Sequence, residues 1–207
     1  MGGVYRSTPC GNYGVRVKPP SSTPNDVVGF TELVFSDLLR TRDVKPSWAR
    51  VAQQCVVNPG MLATLLLRIQ QCLWRADHHL LAKLVRPVAS VLVGADFNPG
   101  MTIGRGLWIA HPHGITIGFD LVIGDNVSLA GGVTAAASLR RDDVQRYAVI
   151  EDGVGIGAHA VLVGNITIGR NAVVGANSVV LKDVPADAVV MGNPARKIGD
   201  RDPSNII

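Results

Sequence analysis

Aromatic side chains make up only 5% of this 207-residue chain, so its core has to be assembled from Val, Ile, Leu and Ala. Basic residues are never clustered in runs of five, and the net charge of +4 is mild, which leaves a nucleic-acid surface without support. A small anionic ligand suits that charge equally well. Long apolar runs are missing too: Met61 to Leu67 is short and includes Thr64, and Arg68, Arg75, Asp77, Lys83 and Arg86 punctuate the segment beyond it, which excludes an ordinary membrane span. The opening MGGVYRSTPCG lacks a charged segment followed by a sustained apolar one, so no secretory signal is read and a cytoplasmic location is expected. Three cysteines, Cys10, Cys55 and Cys72, are odd in number and share no CxxC spacing, which argues against a disulfide framework and fits a reducing compartment.

What the chain does have is aliphatic content and glycine. Hydrophobic residues reach 47%, as in a globular protein, and 23 glycines imply many tight corners, which leans toward β-structure. Residues 1–26 contain KPPSSTPN and little apolar periodicity, and read as an arm without regular structure. From residue 27 the spacing changes. Phe30, Leu33, Val34 and Leu38 mark one helical face, Asn58 and Pro59 form a helix start ahead of Leu62, Leu65, Leu66, Ile69 and Leu73, and Leu80, Leu81, Leu84 and Val85 come after. A helical domain is predicted over 27–93.

After Asp96 a six-residue repeat takes over, led by Ile103, Ile109, Ile117, Ile123, Leu129, Ile150, Ile156, Leu162, Ile168, Val174 and Val180. The residue after the lead is Gly, Ala or Glu in nine of these eleven repeats, and the fifth position is usually small or β-branched, as at Val127, Val133, Ala160, Ala172 and Ser178. Because strand side chains alternate, the fifth residue and the next lead face inward while the third and fourth occupy a corner. Three corners close a triangular coil of eighteen residues, and stacked coils bury each other's leads in a solenoid. Two breaks interrupt the phase. Ile109 to Ile117 is eight residues, an insertion of two beside His111 and His113, and Leu129 to Ile150 is 21, three more than a coil, with the surplus expected as a protruding loop at 136–148.

His111 occupies the third place of its repeat, a corner, and should face outward, where an imidazole can accept and return a proton near neutral pH. His113 has inward parity next to the phase break and reads as shaping the turn. His78 and His79 have no comparable setting.

From Asp96 to Gly199 the chain resembles the serine acetyltransferase family of the hexapeptide-repeat acyltransferases, on ADFNPGMTIGRGLWIAHPHGITIG, DNVSLAGGVT, GVGIGAHAVLVGNITIGRNAVVGANSVVLKDVP and GNPARKIG. The resemblance includes the His-x-x-Gly turn and the two-residue insertion, and extends more weakly through FSDLLRTRD and PGMLATLLLRIQQCLWR. It implies an α+β chain in which the helical domain is followed by a left-handed parallel β-helix over 94–199, with a tail at 200–207. It further implies a homotrimer, with dimers of trimers in view, and an acetyl-CoA site between neighbouring prisms with no metal. In that resemblance His111 is the general base, Tyr147 a second catalytic group, and Asp96, Arg146 and His113 line the acceptor site. Thr134, Gly157, Ala158 and Ala176 lie beside the pantetheine arm, with Ala158 and Ala176 one coil apart, while Lys182, Arg196 and Lys197 meet the cofactor's anionic end. A terminal isoleucine, here Ile207, implies docking into cysteine synthase.

The chain departs from the family pattern at two places. The family has an aspartate directly before the catalytic histidine and an Arg-His-Pro sequence in the loop, where this chain has Ala110 and RYAV. Loss of the aspartate removes a charge that would hold an amino-acid ammonium, so serine competes with the hydroxyl of a sugar, polysaccharide or secondary metabolite as acceptor. A metal enzyme on this scaffold would resemble the β-helical carbonic anhydrases, for which His111, His113 and His159 supply the number but not good spacing. A noncatalytic trimeric scaffold would leave His111 unexplained.

Overall fold

The computed structural model describes residues 28–41, 45–119, 121–137 and 147–202. The arm at 1–26, Arg146 and Ile207 lie outside them. Four helices come first: α1 (Phe30–Thr41), α2 (Trp48–Val57), α3 (Pro59–Arg75) and α4 (His79–Val93). Asn58 closes α2 and opens α3, its side chain accepting from the Gly60 amide, and Pro59 takes the first turn where its missing N–H costs nothing. The sequence reading did not mark α2, whose start is Ser47 accepting from the Arg50 amide. Gly94 in the left-handed region ends α4.

A buried ion pair between α1 and α3 holds the helices to the β-domain through its further hydrogen bonds. Arg68, read from sequence as a charge interrupting an apolar stretch, is 1% exposed. Its Nε and Nη2 donate to the two carboxylate oxygens of Asp37 at 2.8 and 2.9 Å, and its remaining N–H groups reach the Gln71 side chain and the carbonyls of Ile103 and Gly104. Asp37 also accepts from the Leu107 amide at 2.8 Å. Burial pushes the Asp37 carboxyl above its ordinary range, and Arg68 and the Leu107 amide pull it back. Apolar packing continues the join, with Ala63 and Leu67 of α3 and Ala89 and Val93 of α4 in the same core as the β-domain leads.

Fifteen short strands succeed the helices among the described residues. In chain order they are β1 (Asp96–Phe97), β2 (Thr102–Ile103), β3 (Trp108–Ala110), β4 (Thr116–Ile117), β5 (Val122–Ile123), β6 (Ser128–Ala130), β7 (Thr134–Ala136) and β8 (Val149–Ile150). Then come β9 (Gly155–Ile156), β10 (Val161–Val163), β11 (Thr167–Ile168), β12 (Val173–Val174), β13 (Val179–Val180), β14 (Ala188–Met191) and β15 (Arg196–Asp200). Every third strand pairs in parallel, giving sheets ordered β1-β4-β7-β10-β13, β2-β5-β8-β11 and β3-β6-β9-β12-β14, with β15 antiparallel at the last edge. This is a parallel β-helix of three-sided coils. The leads and the fifth-position residues Val127, Val133, Ala160, Ala172 and Ser178 are all buried.

The register corrects the repeat count. Phe97 pairs with Ile117 and Ala135 with Ile117, so both are leads that the aliphatic pattern passed over. Ile123 pairs with Ile150, a spacing of 27, so the second break adds nine residues to an eighteen-residue coil and not three. Ala136 belongs to β7 and Ala148 is buried in the core, so the surplus lies inside the limits 136–148. The tail is also tied down further than expected, because β15 runs to Asp200 and Arg201 donates to the carbonyls of Gly153 and Asn171.

Removing one partner of a buried pair strands the other charge, so Arg68→Ala should lower unfolding free energy by about 3–5 kcal/mol, read from urea denaturation. The double variant Arg68→Met, Asp37→Leu should recover most of that loss. A cost below about 1 kcal/mol for Arg68→Ala would show that the pair does not join the two parts.

Candidate active site

The His-Pro-His turn is the corner between β3 and β4. Its position is set from behind by α3: at Gly60 an added Cβ would run into the carbonyl of Ile109, so only glycine lets the helix rest on the backbone two residues before His111. His111 is exposed with φ +55°, Pro112 is buried, and His113 is exposed, contrary to its inward parity. A Cβ on Gly94 would come 2.7 Å from Nδ1 of His113, so this ring lies against the end of α4. The Gly114 amide donates to the Gly94 carbonyl at 2.8 Å and the Gly132 amide to the His113 carbonyl at 2.9 Å, fixing the turn between its neighbours.

Below His111 the same corner is lined by small residues. Pairing of Ile109 with Leu129, Leu129 with Ile156 and Ile156 with Val174 puts Gly131, Ala158 and Ala176 in successive coils beneath it. Gly131 and Gly157 have no room for a Cβ, the first against the His111 carbonyl and the second 2.6 Å from the Ala176 amide. Ala158 is half-buried and Ala176 exposed, so this column presents nothing larger than a methyl group below His111. Thr134 flanks it, paired with Thr116 above and Val161 below on the first sheet.

Asp96 starts β1 over Thr116, at the top of this corner. Its carboxylate is already engaged by Arg86 of α4, with Nη2 donating at 2.7 Å, and the bond to that guanidinium holds the carboxyl below its usual range. Tyr147 is elsewhere. Its ring covers Gly118, where a Cβ would fall inside the ring, at the far end of β4 from the His111 corner. Residues 115 to 118 in extended conformation put roughly 13 Å between them. Within one chain the structure therefore groups His111, His113, Asp96, Thr134, Gly157, Ala158 and Ala176, and keeps Tyr147 apart.

Lys182, Arg196 and Lys197 line a cavity of about 350 Å³ at the C-terminal end of the β-helix, together with Asp183, Val184 and Pro185. Lys197 is 2.6 Å from Asp200, and Arg196 donates to the Ala195 carbonyl. Within one chain, no three His, Cys, Asp or Glu side chains among the described residues, His111, His113 and His159 included, form a group that could hold a metal ion. No helix among them is long and apolar enough to cross a membrane.

With this geometry in place, the family description "Bacterial transferase hexapeptide (six repeats)" matches residues 147–182. A serine acetyltransferase of Mycobacterium tuberculosis is 35% identical over 168 residues, covering 81% of this chain and 73% of its own. The chain belongs to the serine acetyltransferase family. A mitochondrial serine acetyltransferase of Arabidopsis thaliana is 40% identical over 171 residues, covering 83% of this chain and 44% of the plant protein. A serine acetyltransferase from Brucella abortus, solved in complex with coenzyme A, superposes with a TM-score of 0.74 at 31% identity, covering 82% of this chain and 68% of that one. The chain thus spans about half the length of the plant members it matches.

Sequence reasoning missed Arg86, Gly60 and the setting of His159. Arg86 carried no signal beyond its charge, and Gly60 looked like part of a helix start. His159 fell on a generic repeat position, although a histidine where other corners use Asn or Gly was visible in the sequence.

The overlap at Gly118 makes a direct test of where Tyr147 sits. Gly118→Ala should cost about 1–3 kcal/mol by displacing the ring, and in a Tyr147→Ala background the same change should be close to neutral. Equal costs in both backgrounds, measured by chemical denaturation, would mean the ring does not cover Gly118.

Proposed function

We propose that this chain is an acetyl-CoA-dependent O-acetyltransferase acting on the hydroxyl of serine, with His111 as general base. The observation that carries the reading is the exposed His111 at a displaced corner, directly above a strip of Gly and Ala that a thin flexible chain could follow. Family membership and the coenzyme A complex of the Brucella relative support it.

His111 removes the acceptor's hydroxyl proton as its oxygen attacks the thioester carbonyl. The tetrahedral intermediate collapses, the C–S bond breaks, and the departing thiolate takes the proton back from the imidazolium. No acyl-enzyme forms, so Cys55 and Cys72, free thiols with Cys55 raised by burial, have no part. The pantetheine arm lies along Gly157, Ala158, Ala176 and Thr134, and Lys182, Arg196 and Lys197 receive the phosphates. That the cavity they line sits on the same prism, with three cations around it, supports this assignment.

Tyr147 reaches the acceptor from a neighbouring copy, and the family resemblance assigns Arg146, its neighbour in sequence, to the same acceptor. The separation of Tyr147 from His111 within one chain supports a homotrimer in which the Gly118 end of one prism meets the His111 corner of the next. Pairing of trimers runs through α4, whose exposed face carries Leu80, Leu81, Leu84, Val88, Val91 and Leu92. The free thiols Cys55 and Cys72 suit a cytoplasmic setting.

A second reading, transfer to a sugar or other hydroxyl, is favoured by one observation. With Ala110 before the base and Asp96 occupied by Arg86, the His111 corner offers no unpaired carboxylate to an ammonium group among the described residues.

Thiol release from acetyl-CoA with L-serine, homoserine and a panel of sugars separates the readings. Serine turnover should fall on the order of 10²- to 10⁴-fold in His111→Ala, the usual worth of a positioned base. Turnover only with a sugar would move the acceptor, and turnover unaffected by His111→Ala would remove the base. Ala176→Leu should raise the KM for acetyl-CoA and leave the acceptor KM unchanged; the reverse pattern would displace the cofactor path.

A further inference from the structure

Positive φ recurs at the β-helix corners, three residues after the lead: Gly106, Asn126, Gly153, Asn171 and Asp187 between the second and third sheets, and Gly132, His159 and Asn177 between the third and first. Gly tolerates this conformation best, and Asn, Asp and His are the side chains that enter it most readily. The two positive-φ histidines of the β-helix, His111 and His159, share the corner on which the proposed reaction runs. His159 comes directly after Ala158, is exposed, and makes no hydrogen bond to any described residue through its ring. The ring leans over Gly132, where an added Cβ would collide with Nδ1, Cε1 and Cγ, and Gly132 in turn hangs from the His113 carbonyl. The imidazole thus stands beside the strip, between Ala158 and the turn that bears His111, within roughly 10 Å of that turn at two coil spacings.

We propose that His159 is a binding residue for the acyl donor, its imidazole hydrogen-bonding an amide of the pantetheine arm where the arm passes Ala158. An imidazole offers one donor and one acceptor, and the arm presents amides that need both. This inference rests on the acyltransferase reading, and it adds a contact that the resemblance does not supply.

The test uses His159→Asn and His159→Gly in the full chain, since both residues accept positive φ and leave the coil intact. Loss of one hydrogen bond should raise the KM for acetyl-CoA, and the Kd for coenzyme A by calorimetry, about five- to tenfold, with kcat, acceptor KM and Tm essentially unchanged. Unchanged KM and Kd in both variants would overturn the assignment, as would losses that appear only with a lowered Tm, which would mark a structural corner. Wild-type protein that binds coenzyme A but does not turn over serine would leave His159 standing, provided the variants bind more weakly, and would change only the acceptor. Wild type that does not bind coenzyme A would overturn both His159 and the acyltransferase reading.

Discussion

Backbone hydrogen bonds between successive coils force each corner to lie over the corner before it, and the site depends on that vertical registry. A lead residue buried in one coil fixes the position of its counterpart about 4.8 Å away, so residues eighteen apart become neighbours without any side-chain contact holding them. Ala158 and Ala176 are aligned this way, and Gly131 joins them across the nine-residue surplus because Leu129 still pairs with Ile156. The insertion disturbs the sequence spacing and leaves the stacking intact. A groove along one corner is therefore a property of the whole solenoid, which makes it rigid, and its chemistry is set by which side chains occupy that one column.

The helical part contributes rigidity from the other direction. Arg68 and Asp37 are too deeply buried to be stable apart, and Arg68 also donates to the carbonyls of Ile103 and Gly104 while Asp37 accepts from the amide of Leu107. These backbone groups lie at the start of the coil that carries His111. Gly60 then seats α3 on the Ile109 carbonyl, and Arg86 ties α4 to Asp96 on the same coil. The first coil has no coil above it, so the helices take the place of one, and the catalytic candidate is supported on both sides.

The repeat made most of this legible in advance. Aliphatic leads at a period of six need no tertiary information to be recognised, and the eight-residue step after Ile109 pointed to the His111 turn. Where a lead was not Ile, Leu or Val the pattern failed, as at Phe97 and Ala135, and losing Ala135 made the second insertion look like three residues in place of nine. Arg68 failed for a different reason. A charge in an apolar stretch reads as a surface interruption unless its partner is known, and Asp37 lies 31 positions away on another helix. His113 was assigned inward by parity, but parity holds only along a strand, and the turn is not one.

The two-residue insertion explains why His111 is where it is. At regular corners between the third and first sheets the left-handed residue stands three places after the lead, at Gly132, His159 and Asn177. At the inserted corner it moves to two places after the lead, to His111, with a second left-handed residue at Gly114 to bring the chain back into phase. Pro112 is buried between them, so the turn closes over an apolar contact and leaves His111 outside it. A regular coil would give this position a residue like Gly131, Ala158 or Ala176, lying flat along the strip. The extra length converts that flat position into the apex of a turn, and a side chain at the apex can reach over the strip below. Removing the two residues would restore the hexapeptide period and return the histidine to the column, which is why the break in the repeat and the exposed His111 occupy the same place.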